Sequence, residues 1–156
     1  MYLRSMLLFF LSLFLLSTCE KEEGLKLEKG DYLIFGHFYG KCIGEQCVET
    51  FKLTEDQLFE DSRDDFSGTE FNFSLLLGED KFRQVRELKD IFPNQLLQTG
   101  DTTFGCPNCA DQGGFLLQYA ENGRIKTWRI DPVEENIPDY LHLFSEKLRE
   151  KIDLLQ

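Results

Sequence analysis

The chain has 156 residues and sets 28 acidic side chains against 17 basic ones, a net charge of −11. That sign repels phosphate and argues against nucleic-acid binding, which depends on cationic groups displacing counterions. The length suits one domain of roughly 100 to 200 residues, large enough to bury a core without help from disulfides.

Met1 to Ser5 carries one basic residue, Arg4, and Met6 to Leu16 is an apolar run of eleven residues broken only by Ser12. The pattern is that of a signal peptide. A spanning helix needs about 20 apolar residues, so this run is too short to stay in a bilayer. It ends in Leu16-Ser17-Thr18-Cys19, with an aliphatic residue at −3, small residues at −2 and −1, and then a cysteine. This resembles the lipobox of bacterial lipoproteins, although Thr18 stands where Gly or Ala is more usual. The resemblance implies diacylglycerol on the Cys19 thiol, cleavage after residue 18 and acylation of the new amino group. Several acyl chains acting together give stable attachment, because each buried methylene contributes about 0.8 kcal/mol. Glu20-Lys21-Glu22-Glu23 follows directly. A lysine and two acids just after the cysteine resemble the surface-export signal of some Gram-negative lipoproteins, and read equally as a solvated tether.

Glu20 to Lys29 is charged, with only Leu25 and Leu27 apolar, so a flexible tether is expected over residues 19–29 and a single α+β domain over 30–156. Asp31 to Tyr39 and Cys47 to Leu53 have strand composition and should pair as a hairpin, with two glycines in the Gly40 to Gln46 connection supplying the turn. Thr54-Glu55-Asp56-Gln57 matches a capping box and predicts a short helix to about Glu60. Asp61 to Gly68 is acidic and turn-prone, and Glu60, Asp61, Asp64 and Asp65 read as a solvated loop. Glu70 to Leu77 returns to strand, with Phe71 and Phe73 on one face.

Glu79 to Ile91 has helical spacing, interrupted by Pro93, and a second short turn runs from there to Gly100. Phe115 to Ala120 and Arg124 to Asp131 flank Glu121-Asn122-Gly123, the strongest hairpin signal in the chain. Pro138 should open a helix to about Leu154, with Leu141, Phe144, Leu148, Ile152 and Leu155 forming an apolar stripe. These elements predict an antiparallel sheet of about five strands packed against a long C-terminal helix.

Four cysteines remain in the mature domain. Cys42 and Cys47 lie in the first hairpin loop, and Cys106 and Cys109 in Cys-Pro-Asn-Cys. An even number outside the cytoplasm favours disulfides, with 42–47 and 106–109 preferred because each pair is local. Two alternatives stay open. The loops converge as a four-thiolate metal site, since Cys-Pro-x-Cys resembles half a zinc knuckle, or Cys106 and Cys109 form a redox pair, which needs a helix N-terminus to lower a thiol pKa. His37 serves a metal only if it faces these loops. Asp131, Glu135 and Asp139 faintly resemble calcium repeats ending in Pro-Asp, but Val133 stands at a ligand position, and a strand-to-helix connection capped by Asn136 is favoured.

The chain has two histidines and neither Gly-x-Ser-x-Gly nor His-Glu-x2-His, so no enzymatic activity, catalytic residue, metal or cofactor is expected. Most of the fifteen phenylalanines belong to a core. The mature domain is similar to small bacterial envelope lipoproteins, a class defined by its anchor, so the resemblance carries no activity with it. The expected protein is a cell-envelope lipoprotein, anchored through Cys19 in a membrane (the outer membrane by preference) and displaying a non-enzymatic binding or structural module. Its partner would be a protein, a glycan or a small ligand. The alternative is an extracytoplasmic metal-binding or thiol-redox protein using Cys42, Cys47, Cys106 and Cys109.

Overall fold

A computed structural model describes residues 24–40, 42, 47–63 and 70–156. The expected signal peptide, Cys19, the Glu20 to Glu23 tether, most of the Gly40 to Gln46 loop, and Asp64 and Asp65 lie outside the described residues. The domain is α+β: a seven-stranded mixed sheet and a C-terminal helix. The strands are β1 (Tyr32–Phe38), β2 (Val48–Leu53), β3 (Leu58–Glu60), β4 (Leu75–Leu76), β5 (Thr102–Phe104), β6 (Gly114–Glu121) and β7 (Arg124–Ile130), in the order β4-β3-β2-β1-β6-β7-β5.

This corrects the expectation of about five antiparallel strands. β3, β4 and β5 have only two or three residues each, too few for a period-two pattern to register in sequence. β5 also runs parallel to β7, with Thr102 opposite Trp128 and Phe104 opposite Ile130. The loop from β5 to β6 passes the end of β7 instead of folding straight back, which leaves β5 outside β7 and pointing the same way.

The central hairpins follow the sequence closely. β1 pairs antiparallel with β2, Phe35 opposite Phe51, and with β6, Phe35 opposite Leu117. Both faces of β1 are covered, which accounts for its nearly unbroken apolar composition. At the β6–β7 turn Asn122 and Gly123 both take positive φ, 50° and 77°, as a two-residue hairpin turn requires.

The capping-box helix is absent. Gln57 N–H does donate to Thr54 Oγ1 (3.0 Å), but Thr54 N–H also donates to Gln57 O (2.9 Å), and the segment closes as a turn between β2 and β3. Pairing of Leu58 with Leu53 outweighs the local helical signal. Only Leu75 and Leu76 of the expected 70–77 strand join the sheet, because Asn72 N–H is taken by the Asp61 carboxylate. Asp61 is buried rather than solvated. Phe71 and Phe73 do share a face, their rings stacked 5.1 Å apart.

Helix α1 (Glu79–Val85) continues as a 3₁₀ turn over Arg86–Lys89, and another follows at Asn94–Gln98. After a 3₁₀ turn at Glu134–Asn136, another at Asp139–Leu141 leads from Pro138 into helix α2 (His142–Leu155). The predicted stripe Leu141, Phe144, Leu148, Ile152 and Leu155 is buried throughout. It packs with Leu33, Phe35, Leu117, Trp128 and Phe92 in one core. Phe92 touches Tyr119, Trp128 and Phe144, ring to ring at 5.6–6.1 Å. Each such ring contributes about 1.5–3 kcal/mol by leaving water. Lys151, almost fully buried on α2, reaches Glu87 at 2.6 Å and ties the helix to the first 3₁₀ turn.

Leu25 and Leu27 also belong to the core, and Leu25 N–H donates to Lys89 O at 2.6 Å. Residues 25 and 27 are therefore already packed, ahead of the Gly30 start read from composition. Charge along 20–29 masks the two leucines, which acquire a partner only when the 3₁₀ turn at 86–89 arrives beside them.

Candidate functional site

The two cysteine pairs sit at disulfide distance, Cys42 with Cys47 and Cys106 with Cys109, their Cα atoms 5.4 and 5.5 Å apart, within the range a bridge requires. The loops that carry them do meet. Gly40 N–H donates to Asn108 Oδ1 at 2.9 Å, so the contact runs through an amide between the bridges and the sulfurs pair locally. Cys106 to Gly113 forms no helix. Asn108, Asp111 and Gly113 have positive φ, and Asn108 N–H donates to Gly113 O at 2.7 Å. The helix N-terminus that a redox pair needs is therefore lacking.

Asp131 holds this loop down. Fully buried, it accepts Cys106 N–H (2.8 Å), Val133 N–H (2.9 Å) and the Asn136 amide (3.0 Å). Burial pushes its carboxyl up, but the bonds from Val133, Cys106, Asn136 and Gln112 outweigh that and leave it below the ordinary value. Gly105, at φ 69°, permits the approach: a Cβ there would lie 2.5 Å from the Asp131 Cβ. Asp131 is thus a structural clamp, and Asn136 donates to it instead of capping a helix. Among the described residues no group of three or more His, Cys, Asp or Glu is placed to hold a metal ion.

Beside the clamp, a cleft of about 420 Å³ opens between the end of β1, the start of β6 and helix α2. His37 and Phe115 come from the sheet, Tyr39 from just past β1, Gln112 from the cysteine loop, Val133 from the connection, and Arg149 with Asp153 from α2. His37 is buried, its ring 5.0 Å from Tyr39 and its Nε2 3.5 Å from the Gln156 amide nitrogen. It faces the helix side with Leu33 and Phe35, so it belongs to this cleft. His142 is held by Ile137 O (3.1 Å) and Glu134 (2.9 Å).

Arg149 donates to Pro132 O at 2.6 Å, and its guanidinium carbon lies 5.6 Å from the Phe115 ring centre. A second, shallower groove on the opposite sheet face is lined by Tyr32, Lys52, Phe71, Phe73 and Gln118. There the Lys52 ammonium sits over the Phe59 and Phe73 rings at 4.9 and 5.1 Å. Sequence reading singled out His37 and the cysteines but not Tyr39, Gln112, Arg149 or Asp153. No local signal could have found them, since four separated segments converge on the cleft.

The fold and site define a small disulfide-bearing α+β domain with a cleft beside its cysteine loops. No protein-family model and no curated protein matches the chain. Among the described residues no helix is long and apolar enough to cross a membrane.

Proposed function

We propose that the chain is a bacterial cell-envelope lipoprotein. Acyl chains on Cys19 hold it to the membrane, and its domain is a non-enzymatic module that binds a ligand in the cleft beside α2. The observation that carries this reading is the junction: Leu16-Ser17-Thr18-Cys19 stands five residues ahead of Gly24, the first described residue, and Leu25 is already in the core. Five extended residues reach at most about 18 Å, so an anchor at Cys19 leaves the domain on a short leash.

The geometry also suits such an arrangement. The chain enters the sheet at the Asp31 end of β1, where Asp31 accepts the N–H of Asn122, and the cleft opens at the His37 end. These ends are separated by roughly 20 Å, six strand steps of about 3.3 Å, so the cleft lies at the end of the sheet remote from where the chain enters it. Lys21-Glu22-Glu23 supports display from the outer membrane at the cell surface.

The test is intact mass and fractionation of the protein and its Cys19→Ala variant in a Gram-negative host. Acylated, membrane-bound parent and unprocessed variant are expected. A variant cut normally and released as soluble protein would overturn the anchor. Protease shaving of intact cells then separates surface display, in which the domain is lost, from a periplasmic face, in which it survives.

A further inference from the structure

We infer that the cleft beside α2 binds a small zwitterion, a free amino acid or short peptide with an apolar side chain, taking its carboxylate on Arg149 and its ammonium on Asp153. The inference rests on the binding-module reading and names the ligand class.

The argument starts from how α2 disposes its charges. Lys147 pairs with Glu150 at 2.5 Å and Lys151 with Glu87 at 2.6 Å, so these two basic side chains have acidic partners. Arg149, between them, is held by a carbonyl and a ring face instead. Asp153 is one turn further along, at the i+4 position, and both residues line the cleft. Arg preceding Asp is the poorer order for an i,i+4 pair, and Pro132 with Phe115 draws the guanidinium elsewhere. Asp153 makes no hydrogen bond or ion pair with any described residue. A cation with further N–H groups to offer and an anion with no partner among the described residues thus stand in one cleft.

The Phe115 ring and the Pro132 carbonyl position the Arg149 guanidinium, and one bond to Pro132 leaves further N–H groups in the fork. Such a preorganised fork suits a carboxylate, which it can take with two parallel bonds. Phe115, Ile152 and Val133 give the same cleft an apolar part, and Tyr39 adds a phenol to its lining. The volume, about 420 Å³, is that of a small-molecule site, not of a surface for a folded partner. Net charge favours the zwitterion over a simple acid: a domain in a chain of charge −11 repels an anion at long range but not a ligand that brings its own ammonium.

The experiment is calorimetric titration of the protein with the dipeptide leucyl-phenylalanine, its N-acetylated form and its C-terminal amide. Parent protein should bind the free dipeptide about tenfold or more tightly than either blocked form, the loss expected for one charge-assisted bond. Arg149→Gln should bind the free dipeptide and its amide equally. Asp153→Asn should bind the free dipeptide and its acetylated form equally. This crossed pattern assigns each end of the ligand to one residue, and both positions are exposed on the helix, so folding is not at stake. Blocked peptides binding parent protein as well as the free one, variants keeping the parent's preference, or no saturable binding would each overturn the assignment. The anchor is judged separately by the mass of Cys19, so either conclusion can fail alone.

Discussion

Replacing Asp131 by Asn keeps the shape of the side chain but exchanges one acceptor oxygen for a donor. The amide oxygen can still take Val133 N–H, but the amide nitrogen then faces Cys106 N–H and the Asn136 amide, two donors that now meet a third. Asn136 is exposed and can turn to water. Cys106 N–H loses a charge-assisted bond, which contributes about 1.5–3 kcal/mol. Removing a buried charge offsets part of this, so a net loss of about 2 kcal/mol is expected at neutral pH. The sign with pH follows from the Asp131 carboxyl lying below its ordinary value in the folded state. Its contribution is fully present above the unfolded pKa of about 3.9 and disappears as pH falls through the lower folded value. Urea unfolding, read from the fluorescence of Trp128, the single tryptophan, should show the gap between parent and Asp131→Asn at pH 7. The gap should shrink in acid. A difference below about 0.5 kcal/mol at pH 7, small against the bond energy invoked, or one that does not shrink in acid would refute the clamp.

Thr99→Val should cost about 1–3 kcal/mol, because Trp128 Nε1–H donates to Thr99 Oγ1 at 2.8 Å and the indole is fully buried. Thr99→Ser should restore most of it, and equal unfolding midpoints for all three proteins would contradict the bond. Replacing both Cys42 and Cys47 by Ser should lower stability by about 2 kcal/mol, the closure entropy of so short a loop. For a domain of this size that corresponds to a fall in Tm on the order of 7 °C, and a thermal midpoint insensitive to the substitution would contradict a closed bridge.

Where packing merely completes a local pattern, the sequence was sufficient. The apolar stripe on α2, the β1–β2 pairing and the Asn122-Gly123 turn are all short-range consequences of periodicity and backbone preference, and each appears as expected. So does the local pairing of Cys42 with Cys47 and of Cys106 with Cys109, positions that chain connectivity already keeps close. Where a distant strand or carboxylate competes with a local preference, reading the sequence misled. Thr54 to Gln57 forms its capping bond yet becomes a turn because Leu58 pairs with Leu53. Asp61 looks like a solvated acid and Asp131 like part of a plain strand-to-helix connection until backbone N–H groups from elsewhere close around them. The parallel β5 edge and the cleft are decided by tertiary structure alone. A crossing over the end of β7, and the meeting of Tyr39, Gln112, Arg149 and Asp153, depend on contacts between segments tens of residues apart, and no periodicity within any one segment encodes them.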